Sequence, residues 1–297
     1  MRRNTDIPVP TRSGTAGSGH VSGLKFRYVA RRHQMAATGA AVILLFMFMA
    51  ILGPYMAPFD PMEQNLAESQ QRPSFRHLLG ADNLGRDILS RILAGARLSL
   101  FIAVASTFIG LMPGVLVGIA VGFYENAASN AVLRFTDVLM AFPGVLLSLA
   151  LIAVTGGGFV MVVIAVAATF VPGYVRLARA VVLAIKQSEY VQSARAIGAG
   201  DMRILLSHIL PNSLGPIMVQ TSLNISAAIL IASSLSFLGL GIDPSLPEWG
   251  AMLNAGRDSL RVAPWVSTFP GLAIMLVSLG FNLLGDGLRD ILDPRLR

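Results

Sequence analysis

The sequence predicts an all-α integral membrane protein with six transmembrane helices, and three observations carry that prediction. Of 297 residues, 54% are hydrophobic and only 13% are charged, whereas a soluble domain carries about 25% charged residues. Five stretches contain no Asp, Glu, Lys, Arg or His: Gln34 to Phe59, Leu98 to Tyr124, Val138 to Val175, Ile209 to Ile242 and Val262 to Gly285. The third would be about 57 Å long as one helix, nearly twice the roughly 30 Å of a hydrocarbon core. It also contains the helix-breaking Gly156-Gly157-Gly158, and splitting it there gives six spans.

Taken in order, residues 1–34 form a basic N-terminal region. Its first 23 or so residues are rich in Gly, Ser, Thr and Pro and are expected to be disordered. Lys25 to Arg32 then abuts the first span as an interfacial segment. The first transmembrane helix, 35–57, is too long for the apolar part of a cleaved secretory signal and reads as a retained anchor. Pro54, Pro58 and Pro61 stop it. In the outer segment, 58–97, Ile88, Leu89, Ile92, Leu93 and Ala96 share one helical face. That pattern predicts an amphipathic helix lying along the membrane surface.

A five-helix core follows over 95–286, with spans at about 98–122, 131–155, 159–182, 213–241 and 265–285. It is interrupted by a long polar insert, 184–212, and by a Pro-rich loop from Asp243 to Pro264, and it ends in a short tail, 287–297. Of the 23 Lys and Arg residues, 16 lie on the side that holds both termini and the insert, and 7 on the other. The positive-inside rule therefore predicts a plasma-membrane protein with both termini and the insert in the cytoplasm. The formal charge of +7 follows from this bias and from attraction to anionic membrane lipid. The basic and aromatic residues do not form a nucleic-acid-binding pattern, so a nucleic-acid partner is not expected.

Enzyme chemistry fails on inventory. Cysteine is absent, which excludes disulfides and thiolate chemistry. There is no phosphate-binding G-x-x-x-x-G-K-[ST], no H-E-x-x-H and no G-x-S-x-G, and His20, His33, His77 and His208 lie in separate segments. No catalytic residue, metal site or bound cofactor is expected. Trp249 and Trp265 flank the outer interface as aromatic anchors. Arg134 and Asp137, three apart, are expected to pair within one helix.

The insert is longer than a chain reversal requires. Glu189 to Ile197 can form a helix, Gly198 suits a left-handed C-terminal cap, and Asp201 is placed to cap a second helix ending before Pro211. Small residues Ser193, Ala194, Ala196 and Gly198 permit close approach of a partner, and Met202, Leu205 and Leu206 form an apolar face. An interfacial helix resting on lipid would look similar.

Gln192, Ser193, Ala194, Gly198, Leu210 and Pro211 fall at the spacing of Glu-Ala-Ala, three residues, Gly, nine residues, Ile, one residue, Leu-Pro. In this the insert resembles the EAA coupling loop of ABC importer permeases. Gln192 stands where that family has Glu and His208 where it has Ile, so an ion pair at the first position is not carried over. Leu79-Gly80-Ala81-Asp82 with Gly85-Arg86-Asp87, Ser90-Arg91 and Gly95 to Leu100 is similar to the dipeptide, oligopeptide and nickel permeases of DppC/OppC type. So are Ser236 to Gly241 with Pro247 to Gly250, and Phe281 to Asp290 with Asp293-Pro294.

The resemblance covers about residues 30–297 and implies the type I importer permease fold. It further implies a homologous second permease as heterodimer partner, two cytosolic ABC ATPase subunits that hydrolyse the ATP, and an extracytoplasmic solute-binding protein. Peptides, glutathione or a nickel chelate would be the cargo, and Gln192, Ser193, Ala194, Gly198, Asp201, Leu205, Leu210 and Pro211 the joint with the ATPase. Candidate path residues are the polar ones deep in the spans: Gln220, Ser222, Asn224, Ser226 and Asn282. Hydrogen bonding between helices would account for each equally well. A non-transporting scaffold that recruits an ATPase, or a passive channel, remains the alternative reading.

Overall fold

The computed structural model describes residues 18–292, with side chains from Gln34 onward. The disorder expected of residues 1–17 and the tail beyond Leu292 lie outside that range. The first helix, α1 (Ser18–Met56), corrects the disorder expected of residues 18–23, which are helical, as is the basic stretch that runs on into the span. Extending a helix already nucleated by an apolar span costs far less than starting one.

After an irregular outer segment comes α2 (Ile88–Tyr124), a single helix of 37 residues. The amphipathic surface helix expected before the second span is therefore not a separate element. Ile88, Ile92 and Ala96 are buried because this stretch is the first part of α2, packed into the bundle. Four glycines one turn apart, Gly110, Gly114, Gly118 and Gly122, seat α2 on α5 (Phe159–Lys186). A Cβ at Gly110 would lie 2.6 Å from the Ala167 carbonyl oxygen, and one at Gly118 2.6 Å from that of Val175. This is close small-residue packing of the kind membrane helices use in place of a hydrophobic drive.

The third span, expected over 131–155 as one helix, is two helices. α3 (Ala127–Met140) and α4 (Gly144–Thr155) meet at 96°. The break falls at Ala141-Phe142-Pro143, where proline lacks a donor and pushes its predecessor away from helical geometry. The glycine run 156–158 then separates α4 from α5, with Gly156 and Gly158 at positive φ.

Beyond α5 lie the short α6 (Glu189–Ala196) and α7 (Asp201–Ile204). A π-helical turn, Leu205–Ile209, then leads straight into α8 (Leu210–Phe237). The second insert helix thus does not end before Pro211; Asp201–Phe237 is one run of 37 residues. The Leu210 N–H bonds to the Leu205 carbonyl, and this widened turn lets the chain pass a proline that could neither donate nor fit in a regular α ladder. The Pro-rich loop contains α9 (Trp249–Gly256), and α10 (Trp265–Leu292) closes the bundle against α1 and α8. Among the described residues, five helices are long and apolar enough to cross a membrane, or six if the bent α3 and α4 count as one span.

Candidate functional site

At one end of the bundle the insert folds back on α2 and α5. α6 stops at Ala196, and Gly198 at φ +86 donates its N–H to the Arg195 carbonyl, reversing the chain as a left-handed residue must. Asp201 is not the cap. Gly200 occupies that position without a side-chain bond, and Asp201 is the first helical residue, where its charge still suits the helix dipole.

Val191, Ile204 and Ile209 are buried with Phe123 and Val182 in a small apolar cluster of their own. Leu205 packs against it and is half-buried rather than presented to a partner. The Lys186 ammonium donates to the Phe123 carbonyl at 2.8 Å and to Glu125 Oε1 at 2.7 Å. That bond holds the Glu125 carboxyl below its ordinary value. The knob itself carries Gln192, Ser193, Gly198, Leu210 and Pro211 in the open, with Ala194 half-covered. Among the described residues, Gln192 Nε2 donates only to the Gln187 carbonyl, at 3.1 Å. Ile197 at the tip is 87% exposed, and Met202 and Leu206 add apolar surface beside it.

The polar residues of the spans divide into two groups. Ser222 Oγ donates to the Phe281 carbonyl at 2.7 Å and Ser226 Oγ to that of Ser278 at 3.0 Å, so both stitch α8 to α10. Asn282 lies on the exposed side of α10, away from this seam. Gln220 and Asn224 instead border cavities. Gln220 lines one of about 630 Å³ between α5, α8 and α10 at the insert end, together with Asn212 and Arg289. Asn224 lines one of about 200 Å³ where the α3–α4 bend faces α5. Asp137 does not pair with Arg134. α3 packs across α5, which aims its carboxylate at Arg176 Nη2, 2.6 Å away.

The opposite end holds residues that motif reading quoted without a physical role. Asp87 caps α2, accepting from the Ser90 N–H and hydroxyl, each at 2.7 Å, and its other oxygen meets His77 Nδ1 at 2.8 Å. Arg91, 1% exposed, donates to the carbonyls of Pro61, Ser245 and Leu246. Arg86 holds Asp82 at 2.7 Å and reaches the Ser245 carbonyl. A Cβ on Gly95 would sit 1.9 Å from the Pro247 carbonyl oxygen. The two motif segments, 79–100 and 236–250, are therefore one scaffold.

Trp249 is not an interfacial anchor. It is fully buried, its indole N–H bonded to the Ile92 carbonyl at 3.2 Å, because α9 tucks beneath the outer segment. Trp265 is half-buried at the start of α10. Beside Trp249, Glu248 caps α9 through the N–H groups of Gly250 and Ala251, and burial pushes its carboxyl above the ordinary range. The Gly-x-x-x-Gly repeat on α2 was visible in the sequence and could have paired α2 with α5 beforehand. The scaffold's contacts span some 150 residues and left no local signal.

Residues 114–297 match the family described as binding-protein-dependent transport system inner membrane component. Residues 26–73 match the N-terminal TM domain of oligopeptide transport permease C. The chain is 47% identical over 273 residues to the glutathione transport system permease protein GsiD of Pectobacterium atrosepticum, covering 92% of this chain and 90% of that one. It is 45% identical over 272 residues to the di/tripeptide transport system permease protein DppC of Pseudomonas aeruginosa, covering 89% and 90%. GsiD of Escherichia coli is 47% identical over 268 residues, covering 90% and 88%.

Proposed function

This chain belongs to the family of binding-protein-dependent transport system inner membrane components, and on that premise we propose that it is half of the translocation pathway of an ATP-driven importer of peptides or glutathione. The family implies ATPase and solute-binding partners. The proposed assembly adds a homologous second permease, two ATPases on the side of the insert, and both termini on that same cytoplasmic side. The chain binds no nucleotide itself; its partners hydrolyse the ATP. The names of the relatives, glutathione and di/tripeptide permeases, support the cargo class.

The observation that carries the mechanism is the unbroken run Asp201–Phe237. A push that the turn at Ile197 to Gly200 passes to Asp201 would reach α8 directly, since α7, the π turn and α8 are one continuous helical run. α6 is tied to the ends of α2 and α5 through Val191. Displacement at the insert end would therefore tilt α8 against α5 and open or close the cavities bordered by Gln220 and Asn224. With Gln192 uncharged and bonded to its own chain, shape and apolar packing at the knob carry the coupling.

The test is uptake of a radiolabelled tripeptide into proteoliposomes holding both permeases and the ATPases, with loaded binding protein outside. Uptake should require ATP hydrolysis. Ile197→Glu should lower it at least tenfold while stability stays within about 0.5 kcal/mol, as for an exposed substitution. Uptake without ATP would instead mark a passive channel, and ATPase binding without uptake a scaffold.

A further inference from the structure

Gln220 and Asn224 stand one turn apart on α8, with Gln220 Nε2 donating to Asn224 Oδ1 at 2.9 Å. The first borders the 630 Å³ cavity at the insert end and the second the 200 Å³ cavity under the α3–α4 bend, so this pair occupies the boundary between two cavities stacked along one helix. The larger falls within the roughly 300–1,000 Å³ of small-molecule sites. Their bond uses one of Gln220's two amide hydrogens. Its other hydrogen and its carbonyl oxygen make no hydrogen bond among the described residues. The Tyr174 hydroxyl lies one residue away along α8, donating to Thr221 Oγ1 at 3.1 Å. In the same membrane-embedded stretch Ser222 and Ser226 are fully used in holding α10. Asn224 is bonded to the Tyr174 hydroxyl as well as to Gln220, but the Gln220 carboxamide is only partly used, and a polar group left unpaired there is costly unless something else meets it.

We propose that Gln220 and Asn224 form a binding site for the peptide group of the transported molecule, an inference that rests on the translocation reading above. A carboxamide and a peptide group each offer an N–H donor and a carbonyl acceptor, so the two pair regardless of side chains. Such recognition suits a carrier of many peptides. Substrate arriving at the boundary exchanges the internal Gln220–Asn224 bond for bonds to its own main chain. Arg289, which borders the larger cavity and has no ion-pair partner among the described residues, provides positive charge for the peptide carboxylate.

The chain contains no cysteine, so Gln220→Cys gives this subunit a unique thiol. In inside-out vesicles with the assembled transporter, that thiol should react with a membrane-impermeant maleimide, and saturating trialanine should slow the reaction at least threefold. Gln220→Leu should lower trialanine uptake at least tenfold, whereas Gln220→Asn, which keeps a carboxamide, should stay within about threefold of wild type. Wild-type uptake by Gln220→Leu, or labelling of the introduced thiol that trialanine leaves unchanged, would overturn the site. Protection by anionic phospholipid but not by trialanine would also overturn it and identify a lipid site. Absence of ATP-dependent uptake in the wild type would instead overturn the underlying transport reading, and the site with it.

Discussion

At the end of the bundle that carries the outer segment, a buried Arg91 donates to three backbone carbonyls from two distant loops, and Arg86 and Asp82 form a second buried pair beside it. At the insert end, five buried apolar side chains and a half-exposed Lys186–Glu125 bridge hold α6 and α7 to the bundle. Directional bonds in a water-poor setting are satisfied in one arrangement only, whereas an apolar cluster tolerates sliding because its attraction is non-directional. On the proposed mechanism the first end is the fixed frame and the second the moving lever. On that mechanism rigidity follows bond type, not burial alone, since both ends bury contacts.

The largest expected effect is at Gly85. It has φ +75, and an added Cβ would lie 1.8 Å from the Asn65 carbonyl oxygen. Gly85→Ala should cost about 3 kcal/mol or more, combining left-handed strain with overpacking. A thermal melt of the detergent-solubilised chain would read this as a large drop in Tm or as loss of the folded species. A melt unchanged from wild type would break the view of this end as rigid.

Next is Arg91→Met, which strands the Pro61 carbonyl, takes one of two donors from each of the Ser245 and Leu246 carbonyls, and removes a cation 3.7 Å from Asp82. A loss of roughly 3 kcal/mol is expected from orphaned buried groups. A loss below about 1 kcal/mol, no more than a surface ion pair gives, would mean that the guanidinium network is ornament.

Acidity should act on the two ends with opposite sign. Burial raises the Glu248 carboxyl above 4.5. The folded chain then binds its proton more tightly than the unfolded chain, so the contribution is greatest below 4.5 and is lost as pH rises through the raised value. The Lys186 bond lowers the Glu125 carboxyl below 4.5, so its contribution is present above 4.5 and is lost as pH falls through the lowered value. Denaturation followed against pH should show Glu248→Gln flattening the first slope and Glu125→Gln the second. A shared sign would remove the contrast between the ends.

The smallest effect is expected at Gly198, which shares a positive φ with Gly85 but has nothing within 4 Å of an added Cβ. Gly198→Ala should cost only about 1 kcal/mol of backbone strain. The gap between the two glycine variants, measured in one set of melts, is the sharpest single number on how differently the two ends are packed.

Much of the architecture was legible because its causes are local. Charge-free stretches located the spans, Gly156 to Gly158 separated α4 from α5, and the turn at Gly198 follows from a geometry that favours glycine. Other features were misjudged for equally physical reasons. The periodicity of Ile88 to Ala96 reports one buried face but not whether it meets lipid or protein, so a span's first turns read as a surface helix. Pro211 looked like a terminator, and a π turn absorbed it. Within the candidate path, composition marked five polar residues alike. Only neighbouring helices divide the seam-forming Ser222 and Ser226 from Gln220 and Asn224, which face cavities.

By itself the sequence determined that this chain is a helical membrane protein with a polar insert turned by a glycine and no phosphate-binding loop of its own. Hydropathy, backbone sterics and residue inventory are properties of short windows. Tertiary structure alone decided that Arg91 and Trp249 are internal, that the third span breaks and that the insert's second helix is one rod with α8. Each of these depends on which distant carbonyl, glycine or helix face comes to lie alongside, and that pairing is settled only when the whole bundle packs.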